Sequence, residues 1–104
     1  MTVVTVNCGN CNFIARIEVD PDAEGDLQVR IASDCPRVRE FADQVQTLGA
    51  TCAAGWKCAH AGVFAQAAAA NLHPACPVAT ALLKACEVAA RLALPQDVTI
   101  HFEE

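Results

Sequence analysis

The chain predicts an α+β fold of order βββαααβ, in which helices pack on one face of a four-stranded antiparallel or mixed sheet. Three observations point there. The first 33 residues hold three β-branched or period-two stretches separated by polar turns. Apolar residues then recur at helical spacing through the middle and late chain, and strict alternation returns in VTIHF at 98–102. At 104 residues and 54% hydrophobic, the chain is sized for one domain, 1–104, with a real core.

Residues 2–7, TVVTVN, are rich in β-branched side chains and read as a short strand. After the loop CGNC, Phe13, Ala15, Ile17 and Val19 alternate with Ile14, Arg16 and Glu18. The run DPDAEGD at 20–26 is a turn by its Asp, Pro and Gly content, better taken as a solvated hairpin tip than as a calcium loop. Leu27, Val29 and Ile31 then alternate with Gln28 and Arg30, so 13–33 reads as a β-hairpin with one covered face.

Beyond Cys35, the residues Val38, Phe41, Ala42 and Val45 keep helical spacing, and this helix is expected to end near Leu48-Gly49. The stretch GATCAAGWKC at 49–58 has two glycines and no period, and reads as loop. An alanine-rich helix is expected over about 60–71, stopping at Asn71-Leu72-His73-Pro74. The last helix, about 77–93, sets a polar stripe of Thr80, Lys84, Glu87 and Arg91 against Leu82, Leu83, Cys86, Ala89, Ala90 and Ala93. Pro95 stops it, and Val98, Ile100 and Phe102 alternate in a final strand.

Composition excludes several function classes. Net charge is −5 and the Lys and Arg residues are scattered, which is not a nucleic-acid footprint. No apolar run approaches the roughly 18 residues of a membrane span. The opening MTVVTVNCGN lacks the basic and apolar regions of a secretory signal, so a cytoplasmic location is expected, where thiols stay reduced. No Ser-His-Asp order, Gly-rich phosphate loop or paired-carboxylate motif rises above chance. Whether the chain is an enzyme is open at this stage.

Seven cysteines in 104 residues demand explanation. Their odd number argues against a fully paired disulfide framework, and in a reducing compartment cysteines in loops point to metal binding or thiol chemistry. Two of them stand directly before proline, in SDCPRVREF and HPACPV. Proline is favoured at the first helical position, which puts Cys35 and Cys76 at or beside the N-caps of their helices. A sulfur there faces unpaired backbone N–H groups and the positive end of the helix dipole, which favour a thiolate or an anionic thiolate-bound cluster. A cysteine followed by proline also ends the ligand run of bacterial ferredoxins. The plain alternative is that each cysteine only fills a cap position better suited to Ser or Asp.

Alternating the elements up and down brings Cys8, Cys11, Cys35 and Cys76 to one end of the sheet. These four are the expected metal and cofactor ligands. Cys52 and Cys58 fall in the 49–58 loop, which the same tracing puts at the opposite end; they either form a second site or fold back to supply ligands. Cys86 lies ten residues along a helix from Cys76, roughly 15 Å away, and belongs to the apolar stripe. His73, three residues before Cys76, is a further candidate ligand or a donor to sulfur. His60 and His101 read as cap or surface groups, and Trp56 as a loop anchor.

The segments VNCGNCNF, SDCPRVREF, HPACPV and LALPQDVTIHFEE together resemble a small prokaryotic family of unknown function, about this long and met mostly in anaerobes. The resemblance spans nearly the whole chain. It carries over onto Cys11, Cys35 and Cys76, with Cys52 the mid-chain match. Cys8 stands where that family has another residue, often proline, which raises Cys52 as an alternative fourth ligand. Cys58 and Cys86 are particular to this chain. The resemblance implies no activity.

Four readings follow. The first is an iron–sulfur protein of [4Fe–4S] type, serving electron transfer, cluster carriage or small-molecule activation. The second is a structural zinc site, which usually shows two close cysteine pairs where this chain has one CxxC and the looser 52–58 pair. Third is metal-free thiol chemistry, with Cys35 or Cys76 as an activated nucleophile or Cys8–Cys11 as a redox pair, although a thioredoxin-like CxxC opens a helix and this one precedes a strand. Fourth is an interaction domain whose cysteines are incidental. An electron carrier would need a redox partner protein, and the alanine-rich helix surface permits a homodimer.

Overall fold

A computed structural model describes residues 1–49 and 62–104. Cys52, Trp56, Cys58 and His60, most of the 49–58 loop and the expected start of the second helix lie outside the described residues.

The α+β fold holds a four-stranded antiparallel sheet and, among the described residues, three helices. The strands are β1 (Thr2–Asn7), β2 (Ile14–Pro21), β3 (Leu27–Ser33) and β4 (Thr47–Leu48), in spatial order β1-β2-β3-β4. The helices are α1 (Pro36–Gln44), α2 (Phe64–Ala69) and α3 (Val78–Ala89). No helix among the described residues is long and apolar enough to cross a membrane.

Register explains how the period-two pattern becomes one buried face. Val4 pairs with Ile17 and Val6 with Ala15 across β1 and β2, while Val19 meets Val29 and Ile17 meets Ile31 across β2 and β3. Directly opposite residues share a face, so these side chains form one apolar layer. On the reverse face Glu18 pairs with the guanidinium groups of Arg16 and Arg30, the latter at 2.7 Å. A one-residue slip would turn both faces over, so the pattern fixes the register.

Helices cover the apolar layer. α1 packs on β3, and α3 packs on β1 and β2. Val38 and Phe41 of α1 are buried, as are Val78, Ala79, Leu82, Ala85 and Cys86 of α3, and all join the sheet residues in one core. Cys86 is 1% exposed and belongs to that core, with Leu82, as its place on the apolar stripe requires. Leu83 and Ala89 are only half-buried, whereas the small side chains of Ala79 and Ala85 are buried.

Three element boundaries differ from expectation. α1 ends at Gln44, not near Leu48-Gly49, because Val45 leaves the helix with its side chain buried and the chain then extends along β3. Val29 N–H donates to Gln46 O at 2.9 Å, and Leu48 and Thr47 pair with Leu27 and Gln28. The fourth strand is therefore this short piece and not residues 98–102, which join no strand among the described residues and leave Val98, Ile100 and Phe102 exposed. Alternation marks a segment able to pair but does not supply its partner. α3 stops at Ala89, short of 93, at a Schellman turn: Arg91 adopts φ 63°, its N–H donates to Val88 O, and Leu92 N–H donates to Glu87 O. α2 closes in the same way on Asn71, at φ 60°.

Candidate functional site

Register sets one end of the sheet as a rim. Val6, Ala15 and Ser33 stand side by side across β1, β2 and β3, so the segments just beyond them emerge together. They carry Cys8, Cys11 and Cys35.

The β1–β2 connection is tightly wound. Cys8 N–H donates to Phe13 O at 3.0 Å, Asn12 N–H to Gly9 O at 2.8 Å, and Gly9 N–H to Asn7 Oδ1 at 3.0 Å. Gly9 at φ 81° and Asn12 at φ 62° take left-handed conformations that suit these two residue types. The turn leaves Cys11 exposed at its tip and Cys8 half-buried, packed against the core.

Cys76 reaches the same place from the other side. Its N–H donates to His73 O at 2.9 Å, closing a turn that delivers it one residue ahead of Pro77, the N-cap of α3. Cys76 is half-buried and also packs against the core. The Cys8 thiol beside it has its pKa pushed up to about 11. Burial is the largest cause; negative charge on Cys76 and then on Cys11 follow, and hydrogen bonds from Cys8 to both thiols favour its protonated form. Cys8 thus interacts with both Cys11 and Cys76, thiols from two distant parts of the chain.

Cys35 is the N-cap of α1, with extended backbone (φ −72°, ψ 118°) and Pro36 at the first helical position. Its N–H donates to Ser33 Oγ at 3.2 Å, and its carbonyl accepts the Arg39 N–H at 3.0 Å. The sulfur caps no backbone N–H, and the first turn of α1 holds no acidic residue. Cys35 lies at the same rim but follows β3, two inter-strand spacings or roughly 10 Å from the line of β1. It does not contribute to the shift at Cys8. Cys8, Cys11, Cys35 and Cys76 are all outside disulfides, and His73 is exposed beside Cys76.

Among the described residues, the one trio of ligand-type side chains with donor atoms all within 4.8 Å of one another is Asp22, Glu24 and Asp26, in the β2–β3 turn. Turn geometry accounts for it. Asp22 Oδ1 accepts the N–H of Glu24 at 2.9 Å and of Asp26 at 3.1 Å, and Asp22 Oδ2 accepts Gln28 Nε2 at 3.0 Å. These bonds, led by that from Gln28, hold the Asp22 carboxyl below its ordinary range. The trio was visible in sequence as a hairpin tip, and its hydrogen bonds support that reading. The thiols of Cys8, Cys11 and Cys76 interact without reaching the same mutual spacing.

A family model described as a family of unknown function (DUF6951) matches residues 2–102. The chain belongs to that family. DUF6951 membership fits the resemblance carried by the cysteine motifs and the LALPQDVTIHFEE ending, and the match takes in every one of the seven cysteines. Comparison with curated proteins and with solved structures finds no match.

Proposed function

We propose that this DUF6951 protein binds an iron–sulfur cluster of [4Fe–4S] type through Cys8, Cys11, Cys35 and Cys76. The observation that carries the reading is the meeting of the Cys8, Cys11 and Cys76 thiols at one rim, with Cys35 on that rim at a helix N-terminus. An all-thiolate donor set suits iron–sulfur chemistry. The spacing also favours a cluster over one zinc ion. Four sulfurs about 2.3 Å from a single ion lie within roughly 4 Å of each other, whereas a cluster binds each thiolate through a different iron and holds them further apart. The helix dipole behind Cys35 favours negative charge at that position.

A Cys8–Cys11 redox pair is opposed by the burial of Cys8 and the thiols beside it, which push its pKa up and disfavour the thiolate. Exposure of Cys11 leaves the rim open to a partner protein, which suits a carrier of electrons or of clusters in a cytoplasmic, thiol-reducing setting. Small-molecule activation would instead use an iron left without a protein thiolate, and Cys52 is the alternative fourth ligand.

Anaerobic purification followed by iron, sulfide and zinc analysis tests the proposal. A brown protein with iron and acid-labile sulfide in equal amounts is the expected result. Stoichiometric zinc without iron, or a metal-free protein that no iron and sulfide treatment colours, would overturn it.

A further inference from the structure

β1 is the edge of the sheet, paired among the described residues only with β2. Its six residues, TVVTVN, include no charge and no proline, the devices by which exposed edges usually resist pairing. The C-terminal segment has the complementary deficiency. Residues 92–104 are exposed, with Leu94 at 77%, Val98 at 60%, Ile100 at 83% and Phe102 at 82%. Val98, Ile100 and Phe102 fall on one side of an extended chain, with Thr99, His101 and Glu103 on the other. That is the two-faced pattern of a strand beside β1, whose Val4 and Val6 line the covered face and whose Thr5 faces away.

The geometry points to reciprocal strand exchange: the segment around 98–102 pairs with the β1 edge of a second copy of this chain, and that copy returns its own. In the structure the segment leaves α3 without joining its own sheet. A second copy is therefore the occupant favoured over the same chain. Residues 92–104 carry Asp97, Glu103 and Glu104 and no Lys or Arg, which disfavours an anionic membrane or nucleic acid, while uncharged β1 offers no repulsion. Main-chain pairing supplies the affinity, burial of Val98, Ile100 and Phe102 adds to it, and a two-fold exchange closes at two chains. The cysteine rim plays no part.

Sedimentation velocity of the full chain, with reductant and chelator present to exclude disulfide and metal bridges, tests this. Wild type is expected at twice the 10.9 kDa chain mass, and Ile100→Pro at the single mass with its helical circular dichroism retained. Hydrogen exchange should show the β1 amides that face away from β2 protected in wild type and exposed to exchange in Ile100→Pro. A monomeric wild type overturns the proposal, whether its 98–102 amides are protected by its own sheet or not. So does a dimer that survives Ile100→Pro, or β1 exchange that is the same in both proteins.

Discussion

Cys8 shows how partial burial and neighbouring thiols change the chemistry of one sulfur. Its raised pKa means that the folded protein resists losing that proton until about pH 11, whereas an unfolded chain loses it near 9.0. Between those values the unfolded state has released its proton and the native state has kept it, so stability without metal falls as pH rises through this window and is unaffected below it. Urea unfolding of the metal-free protein at pH 8 and pH 10.5 should show the loss, and Cys8→Ala should reduce it. A metal bound as proposed would have to displace the same proton, so its affinity through Cys8 would strengthen with pH up to that limit. The ligand set gives a sharper contrast. Cys35→Ser and Cys76→Ser should each lose iron and sulfide after anaerobic purification. Cys86→Ser should keep them and cost about 1–2 kcal/mol, because it puts a more polar hydroxyl into a core position. Iron loss in Cys86→Ser alone would contradict its placement away from the rim.

The types of β1 to β3 and of the helices were written in period and punctuation, while β4 and the unpaired 98–102 segment were not, and element ends depended on backbone events that periodicity does not report. TVVTVN formed the strand 2–7, and the alternation from 13 to 33 formed the hairpin because both of its faces obey one register. Pro36 and Pro77 announced helix starts, since proline fixes the backbone where no N–H partner exists. The ends were hidden. At 91 the residue in left-handed conformation is arginine, where a glycine would have signalled the stop, and Thr47–Leu48 is too short to show a period. Arg91 makes the hidden signal testable. A side chain with a Cβ at φ 63° costs roughly 1 kcal/mol relative to glycine, partly offset by the extra freedom glycine gives the unfolded chain. Arg91→Gly should therefore raise the urea midpoint by a few tenths to about 1 kcal/mol equivalent. Asn71→Ala, at the matching turn of α2, should lower it. Unchanged midpoints would mean that these turns are held by packing alone.

The rim ties the chain together across long sequence distances. The β1–β2 turn, the start of α1 and the start of α3 are brought to one end because the antiparallel strands alternate direction and α1 returns the chain to the other end, where Leu48 pairs with Leu27. Tracing from sequence reached the same end for Cys8, Cys11, Cys35 and Cys76, since short connections leave few alternatives. It did not reveal that Cys8 interacts with both Cys11 and Cys76 while Cys35 follows β3, two strands from β1, because lateral order in a sheet is not a property of period. A cluster held there would cross-link segments that the core alone now restrains. Binding confined to the native state stabilises by about 2.7 kcal/mol when ligand exceeds its dissociation constant a hundredfold. In a domain this size that corresponds to a rise in melting temperature of roughly ten degrees or more. Anaerobic calorimetry of the loaded protein against the same protein stripped by chelator should show that rise. Cys86→Ser should melt lower in both forms and keep the interval between them, because its effect lies in the core. Cys76→Ser should melt at one temperature with or without iron and sulfide. If wild type melts identically loaded and stripped, whatever iron it carries is not bound by thiols from these three segments acting together.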